Sequence, residues 1–302
     1  MTAKCPVRAI LRKSAPSLAY RCINEVASQV VDQIAHFGEA SLPVLAQLLD
    51  DDRRGIRQQR LRLLVVCVIG ELAQRPGNPW IGGLLPRLIE MVRADGSWSM
   101  QSGAVRAIGA MEVSAADAIP VLESWYQSSN EWQRIVAAMV LLKVAPDHQR
   151  KPDFLHTLVN GIRSGNRGLA SYATGHLVNL GQEAEAVLES LERIHASQCR
   201  LTQCYSGQAI YGISGDLQPY LDGLVGLLES AVVSNRMLAT VKLASLGPRA
   251  IPVVERLRQV LAEFPSHDTN DDQKVFRQYV EQALVEIVTD PLSTDSATTE
   301  HD

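Results

Sequence analysis

Apolar residues recur along this chain in rows spaced i, i+4, i+7, and each row opens on a small residue. The rows are Ala104/Ile108/Met111, Ala137/Leu141/Val144, Ala173/Leu177/Leu180, Ser206/Ile210/Ile213 and Ala239/Leu243/Leu246. That spacing puts the three members of a row on one face of an α-helix. Their first members stand 33, 36, 33 and 33 residues apart, so one helix returns at a nearly constant period. A small side chain at the same place in every copy lets neighbouring helices approach closely, and the rows therefore predict a stacking seam. No strand-like alternation competes with them.

Between these helices the chain carries a second periodic signal. The phrase FGEASLPVL (Phe37 to Leu45) returns as SAADAIPVL (Ser114 to Leu122) and LGPRAIPVV (Leu246 to Val254). Glycine or a small residue closes one helix, and proline enters the first turn of the next, where its missing N–H would have had no partner. Weaker copies stand at Leu84 to Leu88, Pro152 to Leu155 and Gln218 to Leu221. Prolines 43, 86, 120, 152, 219 and 252 are separated by 43, 34, 32, 67 and 33 residues. The long gap is two steps with one proline missing, the missing unit starting near Ala186; the step of 43 absorbs the loop Arg75 to Trp80. Turns inside each pair (RADGSWS, QSSNEW, RSGNRG, VVSNR) hold the Gly, Asn and Ser that turn tightly and cap the following helix. Seven helical hairpins are predicted over residues 41–288. One hairpin of this length cannot bury its apolar face alone, so neighbours must stack. Ahead of them, segment 1–40 ends in an amphipathic stretch, Leu18 to His36, expected to cap the first hairpin; residues 289–302 are almost devoid of apolar side chains and are expected to be a disordered tail.

Paired helices, a proline early in the first of each pair and a period near 33 resemble the short HEAT repeats of bacterial proteins, relatives of the armadillo type. The resemblance covers about Ser41 to Val288 and is one of architecture; the Arg that such units carry near the turn is kept only in some (Arg106, Arg134, Arg236). It implies an all-α fold, a right-handed α-α superhelix or solenoid of about seven hairpins, and the commonest use of such a curve, which is to hold a protein or peptide. Two other activities occur in similar solenoids: phycobilin lyases, which attach a chromophore to a protein, and alkylpurine DNA glycosylases with a basic concave face.

Composition agrees with stacked helices, since 46% of the 302 residues are hydrophobic but only 5% aromatic. With 29 basic against 33 acidic residues the net charge is −4, which supplies no general attraction to nucleic acid and argues against the glycosylase alternative. The longest uninterrupted apolar run, Leu63 to Ile69, falls far short of the roughly 20 residues a membrane helix needs, so no membrane association is expected. Five scattered cysteines (Cys5, Cys22, Cys67, Cys199, Cys204) lack a disulfide framework, and no signal-peptide core follows the N-terminus; a reducing, cytoplasmic location is the expectation.

Chemistry-bearing clusters are few. There is no GxSxG, HExxH or phosphate-binding loop, and the expectation is a non-catalytic protein needing no cofactor. In DDDRRGIRQQRLR, Arg53, Arg57 and Arg60 fall within about 60° of one another on a helix, a candidate contact for an acidic partner or a plain solvated helix end. Three residues before each seam position stand Gln101, Arg134, Ala170, Gln203 and Arg236, a polar, mildly basic row suited to a peptide or to solvent. Trp98 and Trp132 open consecutive second helices, either as interface anchors or as packing within the repeats. His195, Cys199 and Cys204 have ligand chemistry without a metal-site spacing, and His267 to Asp272 lacks the glycine and glutamate of a calcium loop, so no metal is expected.

Overall fold

The computed structural model describes residues 6–14, 23–51, 55–94, 97–197, 199–263 and 271–289, and every regular element among them is helical. Expectations that fall on Leu18 to Cys22, Arg53, His267 to Asn270, the tail beyond Thr289, Cys5 and Cys22 lie outside the described residues. The chain forms two compact units, Met1–Thr157 and Leu158–Asp302.

In the first unit, α1 (Pro6–Ser14), which the hydrophobic pattern did not predict although Val7 and Leu11 are buried, precedes the expected amphipathic helix α2 (Ile23–Ala35). There follow α3 (Leu42–Leu49), α4 (Ile56–Ala73), α5 (Leu85–Arg93), α6 (Trp98–Ala110), α7 (Ile119–Tyr126), α8 (Glu131–Val144) and α9 (Lys151–Arg163), which crosses into the second unit. Helices α1, α3, α5 and α7 pack on α2, α4, α6 and α8 respectively, and the second members of these pairs pack on one another in chain order. In the second unit, α10 (Arg167–Leu180) packs on α12 (Arg200–Ser214), which also takes α11 (Leu188–His195) and α13 (Gln218–Leu228); α14 (Val233–Leu246) and α15 (Val254–Glu263) pack on α16 (Asp271–Val288). Asp271 and Asp272, read in sequence as linker, belong to the first turn of α16.

The recurring proline phrase is a 3₁₀ turn feeding the first helix of a pair, present before α3, α5, α7, α11 and α15. It runs Glu112–Ala118 before α7, Gly181–Val187 before α11 and Gly247–Val253 before α15, so the unit without a proline has the same turn. The three copies bury Ala115, Ala184 and Ala250 completely, and the residue opening each has positive φ: 51° at Glu112, 53° at Gly181 and 55° at Gly247. Pro43, Pro86, Pro120 and Pro219 occupy the first turns of α3, α5, α7 and α13, where no hydrogen bond is lost.

The seam residues Ala104, Ala137, Ala173, Ser206 and Ala239 are each fully buried, as are Ile108, Leu141, Leu177 and Leu243. Glycines beside those rows let consecutive second helices approach closely. A Cβ on Gly70 would lie 3.6 Å from the Cα of Ala107, one on Gly109 would lie 2.9 Å from a Val140 methyl, and one on Gly212 would lie 2.7 Å from a Val178 methyl.

By length and composition the run Val233–Glu263 is apolar enough to cross a membrane, which the search for uninterrupted apolar runs did not find. It is not one straight rod, because the positive φ of Gly247 ends α14 and the 3₁₀ turn redirects the chain into α15.

Candidate partner-binding surface

The arginine cluster survives in part. Arg57 and Arg60 are exposed on the opening turns of α4, next to Ile56, which is 70% exposed. Arg62, on the other side of the helix, is half-buried with its Nε shielded from solvent and unpartnered.

In the row three residues before the seam, Gln101 and Arg134 spend side-chain donors inside the fold. Gln101 donates from Nε2 to the carbonyls of Val92 (3.2 Å) and Ala94 (2.8 Å), which end α5. One period later Arg134 donates from Nη1 to the carbonyls of Ser128 and Ser129, both at 2.9 Å, closing the turn after α7. The carbonyls of Val92 and Ala94 are among those a helix C-terminus leaves open, those of Ser128 and Ser129 belong to the turn beyond α7, and in both places a long side chain from the next helix satisfies them. Gln203 lies against α13, where a Cβ on Gly226 would be 3.6 Å from its Oε1, and the Arg236 guanidinium stands 5.0 Å above the Phe276 ring of α16. Ala170 is buried. The row thus faces the turn side of its hairpins.

Trp98 stacks on Trp125, ring centroids 5.7 Å apart and planes 12° off parallel. Trp125 is buried in α7 and Trp98 is 41% exposed on α6, so this pair ties one hairpin to the next. Trp132 is half-buried and gives its backbone N–H to the Asn130 side chain at 2.9 Å.

Two residues past the seam, Arg106 on α6, Gly175 on α10 and Val241 on α14 are exposed, Gln208 on α12 is half-buried and Met139 on α8 is buried. In the first unit this row borders a cleft of about 150 Å³ between α4 and α6, lined by Val66, Cys67, Gly70, Glu71, Gln74, Gly103, Arg106 and Ala107. Its floor is apolar and small because Gly70 and Gly103 let the helices close up; its rim carries Glu71 and Arg106, charges of opposite sign. In the second unit Lys242, on α14, donates to Gln208 Oε1 at 2.8 Å, and its ammonium lies 5.9 Å from the Tyr205 ring. Burial pushes the Lys242 ammonium below its usual range, the nearby Cys204 acting in the opposite sense. Burial likewise raises the Tyr205 and Tyr220 phenols and lifts the Cys204 thiol to about 12. Sequence reasoning counted back from the seam and did not single out this position; Gly70 and Gly103, one period apart, are the sequence signal for the close α4–α6 approach at the cleft.

His195 meets α12 through Nδ1, 3.0 Å from the Gln203 carbonyl and 3.1 Å from the Ser206 hydroxyl. Cys204 is buried against α13 and Cys199 is exposed at the start of α12. Among the described residues no three His, Cys, Asp or Glu side chains gather as a metal site.

No known protein family matches the chain, and no curated protein does. Crystal structures of two engineered proteins are similar at 18% identity. One covers 92% of this chain and 78% of its own with a TM-score of 0.40. The other covers 80% and 94% with a TM-score of 0.27. Likeness this loose carries no argument about fold or function.

Proposed function

We propose that this protein is a non-catalytic scaffold, a right-handed α-α superhelix of about seven HEAT-like hairpins that holds a protein or peptide partner on the exposed side of its second helices. The observation that carries the reading is the α4/α6 cleft. Its volume suits one apolar side chain, its floor is a backbone-deep groove of glycine and alanine, and Glu71, Gln74 and Arg106 offer both an acceptor and donors to a peptide laid across it. Such a site recognises a chain by shape and by a few polar contacts, which is how solenoids select partners. Cys67, Cys199 and Cys204 as thiols accord with a reducing, cytoplasmic setting.

The test is site-specific photocrosslinking of the full chain from position 74 in extract of the native cell, with and without Arg106→Glu. The reading expects a discrete protein adduct that the substitution removes; an adduct pattern indifferent to Arg106 would overturn it. Binding of a short DNA duplex that weakens steeply with salt would replace it by a nucleic-acid reading.

A further inference from the structure

Second helices pack on one another in chain order through the first unit, and α10 packs on α12, but α14 packs on α13 and α16. Two cations reach from α14 and the turn after it to α12. Lys242, on α14, donates from Nζ to Gln208 Oε1 at 2.8 Å, with its ammonium 5.9 Å from the Tyr205 ring. Arg249, in the 3₁₀ turn Gly247–Val253, donates from Nη1 to the Tyr211 hydroxyl at 2.6 Å. Gln208 and Tyr211 stand three residues apart on α12, neighbours on one face with a rise of about 4.5 Å between them. A stack on Tyr220 of α13, centroids 6.3 Å apart and planes 18° off parallel, holds the Tyr211 ring in place.

The hydrogen-bonding capacity left on these four side chains is one-sided. Gln208 Oε1 and the Tyr211 oxygen already accept, whereas among the described residues nothing accepts from Gln208 Nε2, from the Tyr211 O–H or from the remaining N–H groups of Lys242 and Arg249. Neither cation has a carboxylate partner among the described residues. Other arginines of this unit do: Arg193 pairs with Glu189, Arg200 and Arg256 with Glu229, and Arg277 with Glu281. Cys204, the group nearest to serving Lys242 as a counter-charge, is a neutral thiol at pH 7, because burial lifts it to about 12. A half-buried ammonium without a counter-charge is costly, and an anion that arrives on it relieves that cost. The way in is open, since Arg249 and Val241 are exposed.

We propose that Lys242, Arg249, Gln208 and Tyr211 form a carboxylate-binding site between α14 and α12, occupied by an acidic segment of the protein or peptide partner. The nature of the occupant rests on the scaffold reading; the site itself does not. A carboxylate brings two oxygens that only accept, which matches a cluster whose unused groups only donate, and charge-assisted bonds to an ammonium and a guanidinium are the strong kind. Two cations are too few for a nucleic-acid backbone, and a chain of net charge −4 gives a long polyanion no general attraction. One or two carboxylates on a short segment are what the cluster can neutralise, with Val241 beside it to meet an apolar neighbour in the same segment.

A fluorescein-labelled hexaglutamate peptide is titrated with the full chain at low salt and followed by anisotropy, with unlabelled hexaglutamine, inorganic phosphate and a short DNA duplex as competitors. Hexaglutamate is expected to bind and hexaglutamine not to compete. Lys242→Met, which keeps the stem, is expected to weaken binding about fivefold, and Arg249→Gln, at an exposed position, about threefold. Arg193→Gln, which removes one positive charge from α11, should leave the affinity unchanged. No binding, or a loss at Arg193→Gln equal to that at Arg249→Gln, overturns the proposal, as does unchanged binding in the folded Arg249→Gln protein whatever Lys242→Met does. Displacement of the peptide by phosphate or DNA at a concentration equal to that of hexaglutamate itself would make the occupant a small anion or a nucleic acid and overturn the acidic segment. The Arg106 crosslink lies in the other unit and reads the scaffold separately: hexaglutamate bound without that adduct strikes the scaffold reading, and the adduct without hexaglutamate binding strikes this site.

Discussion

Gly223 presses on Cys204 backbone to backbone: a Cβ on Gly223 would lie 2.7 Å from the Cys204 Cα. At the same crossing, a Cβ on Gly207 would lie 2.4 Å from the Pro219 carbonyl oxygen. These contacts set the α12–α13 crossing, and backbone atoms cannot turn aside as a side chain can. Gly223→Ala and Gly207→Ala are each expected to cost about 3 kcal/mol, the upper end for overpacking a core. Gly175 has no neighbour within 4 Å of its missing Cβ and lies inside α10, so Gly175→Ala should gain about 0.5–1 kcal/mol. Urea unfolding midpoints separate the two classes, and similar effects at all three would contradict the crossing as described.

Glu112 sits at φ 51° where the equivalent turns have Gly181 and Gly247. An L-residue there carries a steric cost of about 1–2 kcal/mol, while glycine costs about 0.4–1 kcal/mol through a freer unfolded chain. Steric relief wins, and Glu112→Gly should stabilise by roughly 0.5–1 kcal/mol in urea melts. The reverse change, Gly181→Glu, should destabilise by a similar amount. A loss in the first variant would mean that the Glu112 side chain makes a contact worth more than its strain.

The helices and their period were legible because the rows at Ala104, Ala137, Ala173, Ser206 and Ala239 must be buried in any all-helical packing, and all five are. The turns were legible because proline and glycine have few places to stand. The direction of the polar row was not. Gln101 and Arg134 look like ligand-facing residues in a linear sequence, yet nothing in one dimension tells a long donor aimed at solvent from one aimed at the carbonyl ends of the preceding helix. Helix α1 escaped notice because its two buried residues, Val7 and Leu11, are too few to establish a period. That Cys199 stands at the same N-cap position as Asn130 and Asn166 is visible only once the three helix starts are seen to coincide.

Arg134 and Arg106 should therefore separate stability from binding. Arg134→Ala leaves the carbonyls of Ser128 and Ser129 without their side-chain donor, a cost of about 1 kcal/mol after discounting for partial exposure, and should leave the crosslinked adduct intact. Arg106, exposed on the rim of the α4/α6 cleft, should show the opposite pattern: Arg106→Glu shifts the urea midpoint within about 0.5 kcal/mol yet removes the adduct. Parallel loss of stability and adduct in both variants would dissolve the distinction between the two rows.

Cys199→Asn turns the N-cap of α12 into the kind found at α8 and α10. An asparagine cap is worth about 1 kcal/mol over a residue that cannot accept, and its strength does not change across neutral pH. Cys199 makes no side-chain cap bond, so Cys199→Asn should stabilise the fold by about 1 kcal/mol, read as a shift of the urea midpoint under reducing conditions. An unchanged midpoint would mean that an asparagine at this position does not reach the open N–H groups of the first turn of α12.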